Sequence, residues 1–142
     1  MKTVAQMLKL KLAGVISIRP DVPVLDAVKL LADKDVGAVL VMDGPRLVGI
    51  ISERDYARKV ALKGKSSGDI SVSEIMTREV VFVTPTQTNE ECMGLMTAKR
   101  VRHLPVIDNG EVVGVLSIGD LVKDAISEQQ FIIEQLEHYI HR

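Results

Sequence analysis

The chain has 142 residues, 46 % hydrophobic and 26 % charged, with a formal net charge of −1, the balance of an ordinary soluble globular protein. No basic surface is left to grip nucleic acid, and an aromatic fraction of 3 % leaves no platform for stacking bases. The start, Met1-Lys2-Thr3-Val4-Ala5-Gln6-Met7, lacks a secretory apolar core and no apolar run reaches membrane-spanning length, so a cytoplasmic protein with neither membrane nor nucleic-acid partners is expected.

In chain order, Val15–Ile18 is a short apolar run ending before Arg19-Pro20, which suits a strand leading into a turn. A helical pattern follows over 23–35, with Ala27, Leu30 and Leu31 facing inward. Strands are expected at Ala38–Met42 and Leu47–Ile51 around the turn Asp43-Gly44-Pro45, then a helix from Ser52 to about Leu62. Lys63-Gly64-Lys65-Ser66-Ser67-Gly68-Asp69 reads as linker. The order then returns: a strand at Val80–Val83, a helix capped by Thr88 and Glu91 and running to about Arg100, strands at His103–Ile107 and Val112–Leu116 around Asp108-Asn109-Gly110, and a helix from Ser117. Leu121, Ala125, Ile132, Leu136 and Ile140 carry a helical stripe onward, with a break expected near Ser127. That final helix either covers the chain's own core or faces a partner.

The recurrence is a duplication. Residues 36–56 and 101–121 align without a gap at an offset of 65, matching at Val36/Val101, Val41/Val106, Asp43/Asp108, Val48/Val113, Gly49/Gly114, Ser52/Ser117 and Asp55/Asp120. Seven identities in these 21 positions exceed the roughly one or two that average composition gives by chance. One β-α-β-β-α unit is therefore used twice. The expected division is a first repeat over 6–62, a linker over 63–73, a second repeat over 74–126 and a helical extension over 127–142. A repeat of that size buries little apolar surface alone, so mutual support between the copies is expected.

Both copies end on Ser-x-x-Asp, at Ser52 to Asp55 and Ser117 to Asp120. Taken singly, each is a capping box, serine at the N-cap and an acid three residues on. Each also follows a glycine-bearing buried strand, so the helix starts at a sheet edge. Free N–H groups and the helix dipole there favour an anion, and a carboxylate one turn in can accept both hydroxyls of a ribose. Capping and binding are compatible.

The duplicated unit, with Val-Gly-Ile-Ile-Ser-Glu-Arg-Asp in one copy and Arg-His-Leu-Pro-Val-Ile-Asp in the other, resembles a tandem pair of CBS domains of the free-standing bacterial and archaeal kind, from about residue 6 to 126. The resemblance implies an α/β (α+β) fold in which the two repeats form a disc-like module with pseudo-twofold symmetry. It also implies two crossed adenosyl-nucleotide clefts. One would take Ser52, Arg54 and Asp55 with Val81, Arg102 and His103: Asp55 on the ribose, Ser52, Arg54, Arg102 and His103 on phosphates, adenine against Val81. The other would take Ser117 and Asp120 with Ile16, Ser17, Val36, Gly37 and Ala38. There the basic pair is replaced by Gly37-Ala38 and Arg54 by Gly119, so adenosine fits but the phosphate grip is weaker.

The implied function is a regulatory module, not an enzyme, that binds AMP, ADP, ATP or an NAD-type ligand, needs no cofactor, senses energy or redox state and passes the signal to an unidentified regulated protein. A homodimer is expected, because CBS pairs commonly associate and the tail stripe offers surface to bury. The alternatives are a structural dimerisation module with empty clefts or a nucleotide-processing enzyme. Other motifs argue against the enzyme. Gly64-Lys65-Ser66 ends like a P-loop, but the glycine required five positions earlier is Lys59. His138 and His141 beside Glu134 and Glu137 read as a solvated helix end rather than a metal site. His103 has no motif-placed nucleophile or orienting partner. Arg58 and Lys59 read as a solvated helix face, and Cys92 as a small core residue.

Overall fold

The computed structural model describes residues 2–11 and 14–140. The chain divides into two compact units: a central one of residues 15–80, and a terminal one made of residues 1–14 together with 81–142. Each has its own hydrophobic core.

In the central unit, β1 (Ser17–Ile18) lies parallel to β2 (Ala38–Asp43), which pairs antiparallel with β3 (Arg46–Ser52). Helix α2 (Val24–Lys34) buries Val24, Ala27 and Leu31 and ends on Asp35 in the left-handed conformation. The chain leaves β3 directly into α3 (Glu53–Tyr56), which widens into a π-helical turn over Ala57–Ala61 closed by Leu62 N–H on the Ala57 carbonyl at 3.0 Å. A short helix, α4 (Val72–Ile75), completes the unit. The core gathers Val24, Ala27, Leu31, Val39, Val41, Ile51, Val60, Val72 and Ile75.

The terminal unit has the same plan. Its hairpin is β4 (His103–Asp108) with β5 (Glu111–Ser117), turned by Asn109 and Gly110, both at positive φ as a two-residue turn of this kind requires. Helix α5 (Asn89–Lys99) ends on Arg100, again left-handed, the counterpart of Asp35. The strand expected at Val80–Val83 is reduced to one parallel bridge, Val83 to Val106. The first strand of the central unit is also shorter than expected, because only two of its residues reach the ladder. Helix α6 (Ile118–Ile140) runs unbroken through Ser127, so the expected interruption there is absent. Ser127 is an ordinary exposed helical position and removes no backbone hydrogen bond.

Two elements were not anticipated: α1 (Val4–Leu10) in the terminal unit and α4 in the central one. They dock alike. Val4 N–H donates to the Gln87 carbonyl at 2.7 Å and Val72 N–H to the Val22 carbonyl at 2.9 Å. Asn89 N–H donates to the Lys2 carbonyl and Val24 N–H to the Ile70 carbonyl. The helix that leads each repeat in sequence thus belongs to the compact unit of the other. This is why the structural division departs from the expected one: residues 70–77, split between linker and second repeat by the sequence reading, are hydrogen-bonded into the central unit.

Gly49 and Gly114 are explained by these same helices. A Cβ on Gly49 would stand 2.6 Å from the Met76 sulfur and 3.0 Å from the Thr77 carbonyl oxygen; on Gly114 it would stand 2.7 Å from a Leu8 methyl. Close approach, not a turn, is what both positions require.

Candidate functional site

Each Ser-x-x-Asp forms its capping box. Ser52 N–H and Oγ both donate to Asp55 Oδ2 at 3.0 Å, while Asp55 N–H donates back to Ser52 Oγ at 3.1 Å. Asp55 Oδ1 accepts from Thr77 Oγ at 3.1 Å and is 3.0 Å from Lys59 Nζ. Four donors on a buried carboxylate use the roughly four acceptor sites such a group has. Lys59 also donates to the Ile75 carbonyl at 2.9 Å, so it is not simply the solvated helix residue expected from sequence.

Around Asp120 the frame is the same and the partners differ. Ser117 N–H and Oγ donate to Asp120 Oδ2 at 2.8 and 3.1 Å, and Lys11 Nζ reaches the same oxygen at 2.8 Å. Lys11 also donates to the Val115 carbonyl at 2.8 Å. All the bonds found on Asp120 among the described residues fall on Oδ2, and its side chain is 28 % exposed against 11 % for Asp55.

Cross-strand pairing sets the neighbours. Ala38 stands opposite Ser52, and the Gly37 carbonyl accepts from Glu53 N–H at 3.0 Å. In the terminal unit His103 stands opposite Ser117, and the Arg102 carbonyl accepts from Ile118 N–H at 2.9 Å. The basic pair therefore neighbours Ser117 and Asp120 within its own unit. Burial, reinforced by the Lys11 and Arg102 charges, pushes the His103 imidazole below its ordinary value, with Asp120 opposing. Burial alone would raise the Asp120 carboxyl, but the Lys11 and Ser117 hydrogen bonds outweigh it and hold the group below the usual carboxylate value.

Two repeats of one β-α-β-β-α plan, each closing on a Ser-x-x-Asp box, match the CBS-domain family model at residues 11–62 and again at 72–126. The chain belongs to the CBS-domain family. This CBS pair is 41 % identical over 125 residues to the mitochondrial CBS domain-containing protein CBSX3 of Arabidopsis thaliana, covering 84 % of this chain and 61 % of that protein. It is 30 % identical to the CBS domain-containing protein YhcV of Bacillus subtilis, covering 81 % of each. The chain thus spans about three fifths of the first of these relatives, and about a quarter of the Arabidopsis CBSCBSPB2 protein, of which it covers 24 %. Among solved structures, a protein with CBS domains from Burkholderia ambifaria is 50 % identical with a TM-score of 0.87, covering 90 % of this chain and 96 % of that one. The hexameric CBS-CP12 protein from bloom-forming cyanobacteria is 31 % identical with a TM-score of 0.74, covering 84 % and 70 %.

The remaining residues singled out in the CBS pair divide by unit. Ile16, Ser17, Val36, Gly37, Ala38 and Arg54 lie in the central unit with Ser52 and Asp55, and Val81 lies in the terminal one. The Ile16 carbonyl accepts from Leu40 N–H at 3.2 Å, and Ile16, Val36 and Val81 pack against the cores of their own units. Lys11 and Thr77 were missed by sequence reasoning. Neither stands within a motif, and each reaches its aspartate only through the docking of the leading segment. The Thr3-x-x-Gln6 and Ser71-x-x-Glu74 capping boxes, both formed, were the signal that could have revealed those segments. Cys92 is fully buried in α5, as expected. Among the described residues no group of three His, Cys, Asp or Glu could hold a metal, and no helix is long and apolar enough to cross a membrane. His141 lies outside the described residues, while Glu134, Glu137 and His138 are exposed on α6.

Proposed function

We propose that this CBS pair is a cytoplasmic regulatory module that binds an adenine nucleotide, AMP, ATP or NAD, without transforming it, and that acts as a homodimer on a separate regulated protein. The observation that carries the reading is the group around Asp120. An N-capping serine, a partly exposed carboxylate with Oδ1 outside the capping box, and three basic residues, Lys11, Arg102 and His103, adjoin one helix start. A carboxylate in such a setting suits two ribose hydroxyls, and the basic residues suit phosphate. Ser52, Arg54 and Asp55 are the corresponding groups of the central unit, and this reading assigns Arg102 and His103 to Asp120 in place of the Asp55 cleft that the family resemblance implied. The relatives are named as CBS domain-containing proteins rather than enzymes, which supports a non-catalytic role, and the hexameric cyanobacterial neighbour supports association.

One observation favours a second reading for the central unit. Asp55 has donors within its own unit for both oxygens, which fits a purely structural cap. Calorimetry with AMP, ATP and NAD, followed by a turnover assay on each ligand that binds, tests both readings. Binding without consumption is expected, with affinity lowered about tenfold or more in Asp120→Asn, the loss of a charge-assisted hydrogen bond. No binding across the panel would overturn the nucleotide reading and leave the structural one.

A further inference from the structure

The second half of α6 carries an apolar face that is exposed among the described residues. The root of the helix is fixed: Leu121 is fully buried, and Asp124 is held by Asn89 Nδ2 at 2.6 Å and Lys2 Nζ at 2.8 Å. From Gln129 to Ile140 every residue is exposed. Twelve residues projecting in this way stand at the lower edge of the roughly 12–15 below which isolated helices are marginal in water.

A heptad of uncharged residues runs along the helix, with Phe131 the one large exposed apolar residue of its second half that lies off it. Val122, Gln129 and Leu136 recur at intervals of seven, as do Ala125, Ile132 and Tyr139, and as do Ile126, Ile133 and Ile140. These nine positions are the a, d and e sites of one seam. None carries a charge, and Gln129 is the single side chain on the seam with hydrogen-bonding capacity at both ends of an amide. The acids lie off it: Glu128 at g, Glu134 at f and Glu137 at b.

We infer that α6 pairs in parallel with α6 of a second copy of this chain, in register about Gln129. Three features point to self-pairing rather than to a different partner. In a parallel twofold pair the a residues meet their own equivalents, so Gln129 faces Gln129 and each amide can bond the other. The g residues meet e residues of the partner, so Glu128 faces Ile133 and no like charges are opposed across the seam. Finally, the exposed parts of Val122, Ile126, Ile132, Ile133, Leu136, Tyr139 and Ile140 amount to roughly 700 Å² per copy, close to the ~800 Å² per partner of a standard stable interface. The inference does not depend on nucleotide binding.

The test is the mass in solution of the full chain by light scattering at tens of micromolar, with and without the double substitution Ile133→Glu, Leu136→Glu. Both residues are more than half exposed, so the fold of each unit should survive, which a retained cooperative thermal transition in the variant would verify. A dimer is expected for the unmodified chain, with its dissociation constant raised on the order of a hundredfold in the variant. A monomeric unmodified chain overturns the inference, as does a dimer untouched by the substitutions. Leu136→Cys tests the orientation, since the native Cys92 is buried. Under mild oxidation it should form a covalent dimer, whereas Gln130→Cys, off the seam, should not. A dimer that fails to cross-link through position 136 overturns the parallel register.

Discussion

Asp55 and Asp120 hold the same place in the repeat, 65 positions apart, yet the two units secure them by different chemistry. In the central unit Thr77 N–H bonds the Ile50 carbonyl at 2.8 Å while its hydroxyl bonds Asp55, and Lys59 adds a charge from one turn along the same helix. In the terminal unit one side chain, Lys11, serves both the Val115 carbonyl, which is the counterpart of Ile50, and Asp120. The position of Lys59 is taken there by Asp124, which turns to Lys2 and to Asn89, itself the counterpart of Val24. Duplication preserved the frame, and the donors were exchanged around it. A carboxylate ringed by four donors is a structural cap first. One held on a single oxygen by a lysine keeps capacity for a ligand.

Alanine at each aspartate is the largest test of that contrast. Asp55→Ala removes four acceptor contacts and strands donors on Ser52, Thr77 and Lys59, and should cost about 3 kcal/mol in urea unfolding. Asp120→Ala, partly exposed, should cost about 1 kcal/mol, the value of a lost cap. Equal losses would erase the distinction.

The glycines sharpen it at the next level. Gly49→Ala drives a methyl against the Thr77 backbone as well as the Met76 side chain, and should cost about 2 kcal/mol as overpacking. Gly114→Ala meets only the end of the Leu8 side chain, which can swing aside, so about 1 kcal/mol or less is expected. Thermal midpoints of the two variants would rank them. A larger loss at Gly114 would mean that α1 is held more rigidly than the end of α4.

The smallest effect is a histidine-linked pH dependence, which only one unit can have because no histidine occurs between residues 15 and 80. His103 resists protonation when folded, so below its ordinary value near 6.5 the unfolded chain binds a proton that the folded one does not. Stability therefore rises with pH across that window and falls as the pH drops from neutral through about 6.5 toward the lower folded value. Amide exchange near pH 7.5 and pH 5.5 should show the terminal unit weakening more than the central one, and His103→Gln should abolish the difference. Weakening of both alike would assign the step to other groups.

Much of the fold was legible in the sequence. The strands of both hairpins fall within one residue of their expected ends, because alternation, burial and the turns at Gly44 and Gly110 are local signals. The helices α2 and α5 were equally plain from periodicity and capping. Helices α1 and α4 were not, since seven and four residues are too few to display a period. At the site, the capping serines and aspartates were found from their pattern, while Lys11 and Thr77 were invisible to it.

By itself, then, the sequence determined the duplication, the order of elements and the two capping boxes, each of which depends on residues within a few positions of one another. Only the tertiary structure decided which unit each leading helix serves and which donors surround each carboxylate. Lys11 meets Asp120 across 109 positions and Thr77 meets Asp55 across 22. Contacts at such separations depend on how the chain closes upon itself, and no local period records that.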